Sequence, residues 1–567
     1  MADLASIVKA YDIRGVVPDQ LDEGVAESVG AAFVKVTGAS TIVTLHDMRS
    51  SSEPLADAFG RGAAAAGADV LAGGLGSTDM LYYASGDLGV PGAMITASHN
   101  PAQYNGIKLC RAGAKPVGIE TGLKDIQDLA ERPLAPAPKP GTVTRIDLLS
   151  GYADHLRKLV DISGIRPLKV VVDAGNGMAG LTVPKVFDGL PLTLVPLYFE
   201  LDGTFPNHEA NPIDPANLRD LQRAVLDQHA DLGLAFDGDA DRCFVVDERG
   251  EIVSPSVITA LIATRELAHE PGATVIHNLI TSRAVPEIIL EHGGVPVRTR
   301  VGHSFIKAKM AEYGAVFGGE HSGHFYFRDF WFADSGMLAA LHVLAALGSQ
   351  TPGSQTPGSQ TPGFQSDETL SQLLAEFSRY FATGEINSEV ADQAAATALV
   401  KAAFASRPGV STDELDGLTV SAATWWFNLR PSNTEPLLRL NAEAETQATM
   451  AAVRDEVLGL VREPGIVRSC ASPGGRPPGT PRRRNILCRS TAGSWTSWPA
   501  RNATRRCAPT RPPASSSAPA PPAPWPTPSA TTSPSSWLKR PGVPARPRER
   551  QPGRLERGGV RPGGGPA

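Results

Sequence analysis

Apolar runs and helical spacings alternate along most of the chain. Residues 41–47, TIVTLHD, read as a strand, the Ala-rich PLADAFGRGAAAAGA after them as a helix, and VLAGGLG as the next strand. KVVVDAGNGMAG (169–180) reads as a strand entering a Gly-rich turn. In NLRDLQRAVLDQHA (217–230), Leu218, Leu221, Val225 and Leu226 fall on one helical face. ADLGLAFDGDADRCFVVDERGEIV then reads strand, loop, strand, turn and strand, and ATVIHNLI, GAVFGGE and the helical SGMLAALHVLAAL continue the alternation. Strands and helices of this length in this order favour α/β units with mostly parallel sheets.

The alternation breaks in three places. LAPAPKPG (134–141) is a Pro-rich connector, and a second boundary falls near Glu248–Gly250. SQTPG then occurs three times in succession over 349–363, a Pro, Gly and polar tandem that cannot build a core and reads as a flexible linker. Beyond it lies a smaller α+β unit, with helical SDETLSQLLAEFSRYF, strand-like SAATWWFNLR and LLRLNAEAE, and a last helix ATMAAVRDEVLGLV. From about residue 467 the pattern ends in Pro, Ser, Ala, Arg and Gly with aperiodic tryptophans, a composition expected to be disordered. That tail has the look of a GC-rich stretch translated in another frame; an Arg-rich arm for RNA or DNA is the functional alternative.

Charge separates the same two parts. The 567 residues carry a formal net charge of −6. The 18 basic and two acidic residues from Val467 onward leave 35 basic and 57 acidic residues in the body, a net of −22. So acidic a body does not fit a nucleic-acid binder. It holds only Cys110 and Cys243, at motif-free positions that suggest reduced thiols. No run of 18 apolar residues occurs, and MADLASIVKAYDIRG lacks the apolar block of a secretory signal, so a cytoplasmic protein is expected.

Chemistry concentrates in four runs. DGDADR (237–242) follows a strand and sets Asp237, Asp239 and Asp241 at alternate positions, so a tight loop can converge them on one hard cation, Mg²⁺ or Ca²⁺. Counted as a calcium-binding EF-hand loop, the run has Glu248 at position twelve, but Arg242 stands where that loop needs glycine and the flanks read as strands. A phosphate would complete the shell of such an ion. TASHNP (96–101) offers Ser98 to carry it, with His99, Lys108 and Arg242 as donors of the right type. A serine-hydrolase reading is weaker: there is no G-x-S-x-G, and an imidazole rarely reaches the hydroxyl of its chain neighbour. GGEHSGHFYF (318–327) alternates Glu320, Ser322 and His324, which in an extended loop face one side and suit a row of sugar hydroxyls. RPSNTEP (430–436) clusters Arg430, Ser432, Asn433 and Thr434 as a phosphate cradle. Each run alone also fits an ordinary polar turn.

Together and in this order, TASHNP, DGDADR, GGEHSGH and RPSNTEP resemble the α-D-phosphohexomutase superfamily, on its phosphomannomutase/phosphoglucomutase branch, over about residues 4–463. The resemblance implies a heart-shaped enzyme of four domains around a cleft: three α/β domains with mixed sheets, then the smaller α+β domain and the disordered tail. The boundaries expected are 1–138 (serine loop), 139–248 (metal loop), 249–348 (sugar loop), 349–365 (linker), 366–463 (phosphate loop) and 464–567 (tail). By position it implies a phosphorylated Ser98 binding Mg²⁺ with Asp237, Asp239 and Asp241, and His99, Lys108 and Arg242 about the phosphate. It implies Glu320 and Ser322, with His324, at the sugar, and Arg430, Ser432, Asn433 and Thr434 at the non-transferring phosphate. Tyr11, Arg14 and His303 match positions facing the cleft.

The implied reaction interconverts mannose 6-phosphate and mannose 1-phosphate, with glucose phosphates as further substrates. Phospho-Ser98 gives its phosphoryl group to the sugar, and the hexose 1,6-bisphosphate turns in the cleft and returns its other phosphate. The small-molecule hexose phosphate is the partner expected, with no membrane and no nucleic acid; monomer and dimer stay open. Some relatives hold a lysine at the substrate phosphate within the stretch matching VIHNLITSRAV; here Asn278 and Arg283 stand without one, which leaves the tightness of that grip open. Glucosamine mutases typically show Gly for Asn433 and Gln for His321, so this chain is expected to prefer mannose or glucose phosphates. A phosphoglucosamine mutase and a non-catalytic sugar-phosphate-binding relative are the alternatives; the intact Ser98, three aspartates and cradle argue against the second.

Overall fold

The computed structural model describes residues 4–160, 162, 164–349, 368–432 and 437–462. The SQTPG tract beyond Ser349, Asn433, Thr434 and the basic tail lie outside them.

The first sheet contains β1 (Ile13–Val16), β2 (Thr41–His46), β3 (Asp69–Leu75), β4 (Gly92–Ile95), β5 (Tyr104–Arg111), β6 (Lys115–Pro116) and β7 (Val143–Arg145), in spatial order β1-β5-β4-β2-β3-β7 with β6 turned back on β5. Its helices are α1 (Glu23–Thr37), α2 (Ser52–Ala65), α3 (Thr78–Leu88) and α4 (Leu123–Ala130). α1 shows why such segments wind where they do. Asp22 caps it by accepting from the Val25 amide, its inward face is buried from Val25 to Val34, and Gly38 ends it at φ 65°, where a Cβ would be strained. The sheet outlasts the boundary expected at residue 138, because Val143–Arg145 adds a parallel edge strand beside β3. α5 (Leu149–Leu159) then leads to the second sheet.

That sheet holds β8 (Leu168–Asp173), β9 (Leu192–Leu197), β10 (Leu232–Phe236), β11 (Cys243–Asp247) and β12 (Ile252–Val253), with α6 (Ala179–Val186) and α7 (Arg219–Gln228) between its strands. α7 buries Leu221 and Val225 with Leu218 just ahead, while Leu226, expected on the same face, is 48% exposed. The third unit runs α8 (Pro255–His269), β13 (Thr274–Asn278), α9 (Ala284–Glu291), β14 (Val295–Thr299), α10 (His303–Tyr313), β15 (Phe317–Gly319), β16 (Phe325–Phe327), β17 (Ala333–Asp334) and α11 (Gly336–Gly348). All thirteen residues of α11 are buried, twelve of them apolar or glycine and the thirteenth, His342, accepting from Arg265 Nε at 3.4 Å.

One pattern recurs. The orders β3-β2-β4-β5-β6, β9-β8-β10-β11-β12 and β14-β13-β15-β16-β17 are the same: three parallel strands, then two antiparallel ones. The sheets are therefore mixed rather than mostly parallel. In each copy the connection from the third strand to the fourth leaves the sheet beside the point where strand order reverses, the usual place for ligand-binding loops. Those three connections carry Ser98, DGDADR and GGEHSGH.

The last unit comprises α12 (Leu370–Leu373), β18 (Phe381–Glu389), α13 (Gln393–Ala405), β19 (Ser411–Asp413), β20 (Leu418–Ser421), β21 (Trp425–Pro431), β22 (Leu437–Ala444) and α14 (Gln447–Val461), with the antiparallel order β18-β22-β21-β20-β19. Of the helix expected over 366–381, the described part from residue 368 holds a single turn. Leu370, Leu373, Leu374 and Phe377 are buried at helical spacing, yet after Leu373 the amides of Ala375 and Phe377 bond three residues back. Tertiary anchors at both ends fix the segment: Ser371 donates to Glu248, and Tyr380 and Arg379 reach Glu287 and Glu291 on α9.

Candidate active site

Ser98 follows β4 in a left-handed conformation (φ 51°), and Ala240 of the aspartate loop has φ 60°. Strained non-glycine residues in both loops mark the place where they meet. The Arg49 guanidinium shapes the serine loop from beneath. Paired with Asp47, it donates to the carbonyls of Ser98 (3.0 Å), Asn100 (2.7 Å), Pro101 (2.9 Å) and Tyr104 (3.0 Å). Gly238 lets the second loop approach: a Cβ there would stand 2.4 Å from the Ser98 carbonyl oxygen.

The Ser98 hydroxyl donates to Asp237 Oδ2 at 2.8 Å. Arg242 holds the same carboxylate through Nε (2.8 Å), lies 3.4 Å from Ser98 Oγ, and donates to His99 Nδ1 at 2.5 Å. His99 Nδ1 is also 3.3 Å from Ser98 Oγ, so the imidazole does reach its neighbour's hydroxyl, against expectation, because the left-handed turn folds the two side chains together. A guanidinium only donates, so Nδ1 is an acceptor and the ring proton sits on Nε2. Burial, then the Arg242 charge, holds His99 well below the usual histidine range. A ring already accepting from Arg242 is a poor base for Ser98, and the hydrolase reading ends there.

Lys108 reaches in from β5 and bridges Asp239 (2.6 Å) and Asp241 (2.7 Å); Thr78 Oγ1 also donates to Asp239 (2.5 Å). All three aspartates are at most 1% exposed. Burial pushes the Asp237 carboxyl up, with Arg242 opposing; for Asp239 burial is outweighed by Lys108 and the carboxylate is held low. Ligand oxygens of the three lie within 4.8 Å of one another, and Asp239 Oδ1 and Asp241 Oδ1 have no hydrogen-bond partner. With all three ionised, the carboxylates exceed Lys108 and Arg242 by one negative charge, which a bound cation would offset. Buried, orphaned, oxygen-only ligands fit a hard divalent cation.

The loop of residues 320–324, expected to face the sugar, joins this cluster through an isolated bridge between Arg242 and His324 and the bond from the Cys243 amide to the Gly323 carbonyl (3.2 Å). It is a tight turn rather than an extended run: the Gly323 amide returns to the Glu320 carbonyl and the Glu320 amide to that of His324. Turning, not alternation, gathers its side chains. Ser322 Oγ is 2.9 Å from His324 Nδ1 and 3.4 Å from Glu320 Oε2, and His324 Nε2 is 3.6 Å from Asp241. Glu320 is aimed by Tyr326 (2.8 Å), the Gly302 amide (3.2 Å) and Asn278 (3.3 Å). Nearby, Tyr11 packs edge-on against His303 at 4.6 Å, and Arg14 donates to Asn100 at 2.6 Å.

At the cradle, Arg430 on β21 stands directly opposite Arg439 on β22. Both lean on Glu385 (3.7 and 3.1 Å), and Nε of each is buried without a partner. The Asp416 charge also faces Arg430, ahead of that of Glu385, and the base of the loop is closed by the Ser432 amide donating to the Leu437 carbonyl (2.8 Å). Arg430 also faces the sugar loop: after burial, its charge is the main reason His321 is depressed to about 3. Sequence reading missed Arg49, Thr78 and Arg439. Only Arg439 carried a local signal, an arginine on the return strand of the hairpin that bears Arg430.

Four family models match in register with this architecture: phosphoglucomutase/phosphomannomutase alpha/beta/alpha domains I, II and III over residues 5–134, 150–250 and 254–380, and the C-terminal domain over 385–460. The chain belongs to the phosphoglucomutase/phosphomannomutase family. It is 40% identical over 467 residues to a phosphomannomutase of Escherichia coli, covering 80% of this chain and 98% of that protein. A Xanthomonas campestris protein named for phosphohexose mutases is also 40% identical, over 80% of this chain and 98% of its own length. Among solved structures, a phosphoglucomutase/phosphomannomutase family protein from Burkholderia thailandensis matches with a TM-score of 0.72 at 31% identity, over 82% of this chain and 99% of that one. The family member described here is thus an α/β enzyme of the phosphohexomutase type.

Proposed function

We propose that this family member is a phosphomannomutase that interconverts mannose 6-phosphate and mannose 1-phosphate, with Ser98 as its phosphoryl carrier and glucose phosphates as further substrates. The observation that carries the proposal is the Ser98 hydroxyl, 2.8 Å from Asp237 inside a buried cluster of three carboxylates, a lysine and an arginine. Asp237, Asp239 and Asp241 would hold Mg²⁺ with an oxygen of the Ser98 phosphate. When bound, the ion supplies Lewis-acid neutralisation of phosphoryl charge. Arg242 and Lys108 add fixed positive charge where the equatorial oxygens of the transferring group gather it.

In the forward half-reaction the bond from phosphorus to Ser98 Oγ breaks and one to the sugar hydroxyl oxygen forms. The sugar's hydroxyl proton passes to the Glu320–His324 pair, whose side chains lie 3.5 Å apart, and the freed Ser98 oxygen takes up a proton to become the hydroxyl that donates to Asp237. Glu320, Ser322 and His324 orient the sugar, Tyr11, Arg14 and His303 line its approach, and Arg430, Ser432, Asn433 and Thr434, joined by Arg439, grip the phosphate that stays. The hexose 1,6-bisphosphate then exchanges ends between cradle and Ser98, which explains one symmetric double-arginine grip serving either phosphate. Among the described residues no helix is long and apolar enough to cross a membrane. The free thiols of Cys110 and Cys243, both buried, support a reducing, cytoplasmic setting.

The test is a coupled assay with mannose, glucose and glucosamine phosphates, with and without Mg²⁺, alongside intact-mass peptide mapping of Ser98. Turnover of mannose phosphate that needs Mg²⁺ and disappears in Ser98→Ala is the expected result. Full activity of Ser98→Ala would mean the wrong hydroxyl was chosen, and turnover of glucosamine phosphate alone would replace the substrate.

A further inference from the structure

Arg283 is the residue of VIHNLITSRAV best placed, by charge, to replace a phosphate-gripping lysine, but its guanidinium is engaged elsewhere. Nη1 donates to the carbonyl of Ala423 (2.8 Å), and Nη2 to those of Ala422 (3.0 Å) and Trp425 (3.4 Å). These carbonyls belong to the turn between β20 and β21, which the Ala422 amide closes on Trp425 O at 2.8 Å. The Arg283 backbone amide donates to Glu443 Oε1 (2.9 Å), and the Trp426 indole donates to the same oxygen (2.8 Å). One residue at the start of α9 in the third unit therefore grips the turn and both central strands of the fourth.

The cradle is at the other end of the same strand. From Trp425 to Arg430 the chain advances five residues, about 17 Å at roughly 3.3 Å per residue. A swing of about 5° at the gripped end moves the Arg430 guanidinium by about 1.5 Å along that lever. A second grip, the Val301 amide on Asp416 (3.1 Å), lies at the opposite end of β20 beside the cradle. The two units also meet through Arg298 with Asp413 and through Trp426 packed with Leu279, Ile280 and Val301, while the Arg283 fork is the polar clamp on the turn that leads into β21.

We infer that Arg283 is a positioning residue that sets the distance between the double-arginine cradle and the Ser98 loop, and so decides how well one hexose phosphate spans both. The inference rests on the mutase reading for its substrate but not for its mechanics. Substrate that is held by its phosphate end loses affinity when the cradle drifts by more than about 1 Å, while the Ser98 cluster, built by other units, keeps its own geometry.

The experiment compares full-length wild type, Arg283→Ala, Arg283→Lys, Arg430→Ala and the Arg283→Ala/Arg430→Ala double variant. Mannose 6-phosphate binding is read by calorimetry, KM and kcat by the coupled assay, and Mg²⁺ affinity separately. Arg283→Ala should raise Kd and KM about tenfold or more with kcat within about threefold and Mg²⁺ affinity unchanged. Arg283→Lys, whose ammonium cannot fork across three carbonyls, should fall between. In the Arg430→Ala background the Arg283→Ala effect on Kd should shrink, because one of the two guanidiniums it positions is gone. Unchanged Kd in Arg283→Ala, or a loss fully additive with Arg430→Ala, overturns the inference. A wild type that binds mannose 6-phosphate with the expected variant pattern but does not isomerise it defeats the mutase reading and leaves this one standing.

Discussion

Gly238→Ala is the sharpest test of how the serine and aspartate loops are held together. The added Cβ would stand 2.4 Å from the Ser98 carbonyl oxygen and 3.6 Å from Ala210 Cβ. The Cβ is fixed to the Cα and its partner is a backbone carbonyl, so no side chain can swing away. A tolerable C···O separation is about 3.3 Å, so the loops must part by about 0.9 Å. The Ser98 carbonyl is tied down by Arg49 and its hydroxyl by Asp237, so the displacement falls on the distance from Ser98 to the aspartates. A misplacement of about 1 Å at reacting atoms costs roughly 100-fold in rate, and forced overpacking costs roughly 1–3 kcal/mol of stability. The expected variant is folded, melts a few degrees lower, turns over about 100-fold more slowly at saturating substrate, and needs more Mg²⁺ for half-maximal activity. The assay is coupled hexose phosphate turnover titrated with Mg²⁺, with a melting curve on the same preparation. A kcat and Mg²⁺ midpoint equal to wild type would refute the claim that this backbone contact sets the serine-to-aspartate distance.

Three further outcomes are expected. Lys108→Met leaves Asp239 and Asp241 buried without their bridging ammonium; without divalent ions it should lose about 3–5 kcal/mol in denaturant unfolding, and Mg²⁺ at about 100 times Kd should return about 2.7 kcal/mol. His208 stands with Nδ1 2.9 Å from the Glu209 carbonyl and Nε2 3.0 Å from the buried Asp173, so both nitrogens donate. Burial opposes its charge, but the Asp173 bond and charge prevail and its pKa is raised. A raised folded pKa means stability complete below the unfolded value of about 6.5 and lost as pH climbs through the folded one; melting temperature from pH 6 to 9 should show that fall in wild type and not in His208→Gln. Finally, since 80% of this chain covers 98% of the E. coli relative, truncation after residue 466 should leave kcat/KM unchanged, and an appreciable drop would give the basic tail a role.

The chemistry of the site was legible because its loops are local. Three carboxylates at alternate positions after a strand, a serine among turn formers and an arginine beside hydroxyls stand out within a few residues, and Asp237, Asp239 and Asp241 do gather as that spacing requires. The alternation of strands and helices likewise located the sheets, since side-chain period follows backbone geometry. What failed were inferences about direction. The sugar loop turns where alternation implied extension, the segment 366–381 stops after one helical turn because partners on other units hold its ends, and the first sheet borrows a strand from beyond the Pro-rich connector.

By itself, the sequence determined which chemical groups this protein owns and which local turns display them. The tertiary structure decided their states. Ser98 meets Asp237 across 139 residues, Lys108 reaches Asp239 across 131, and Arg283 grips a turn 139 residues away. The His99 tautomer, the charge balance of the aspartates and the double-arginine cradle exist only where those segments touch. Hydrogen-bond direction and charge are properties of a neighbourhood, and burial, which removes competing water, gives each of these contacts its strength.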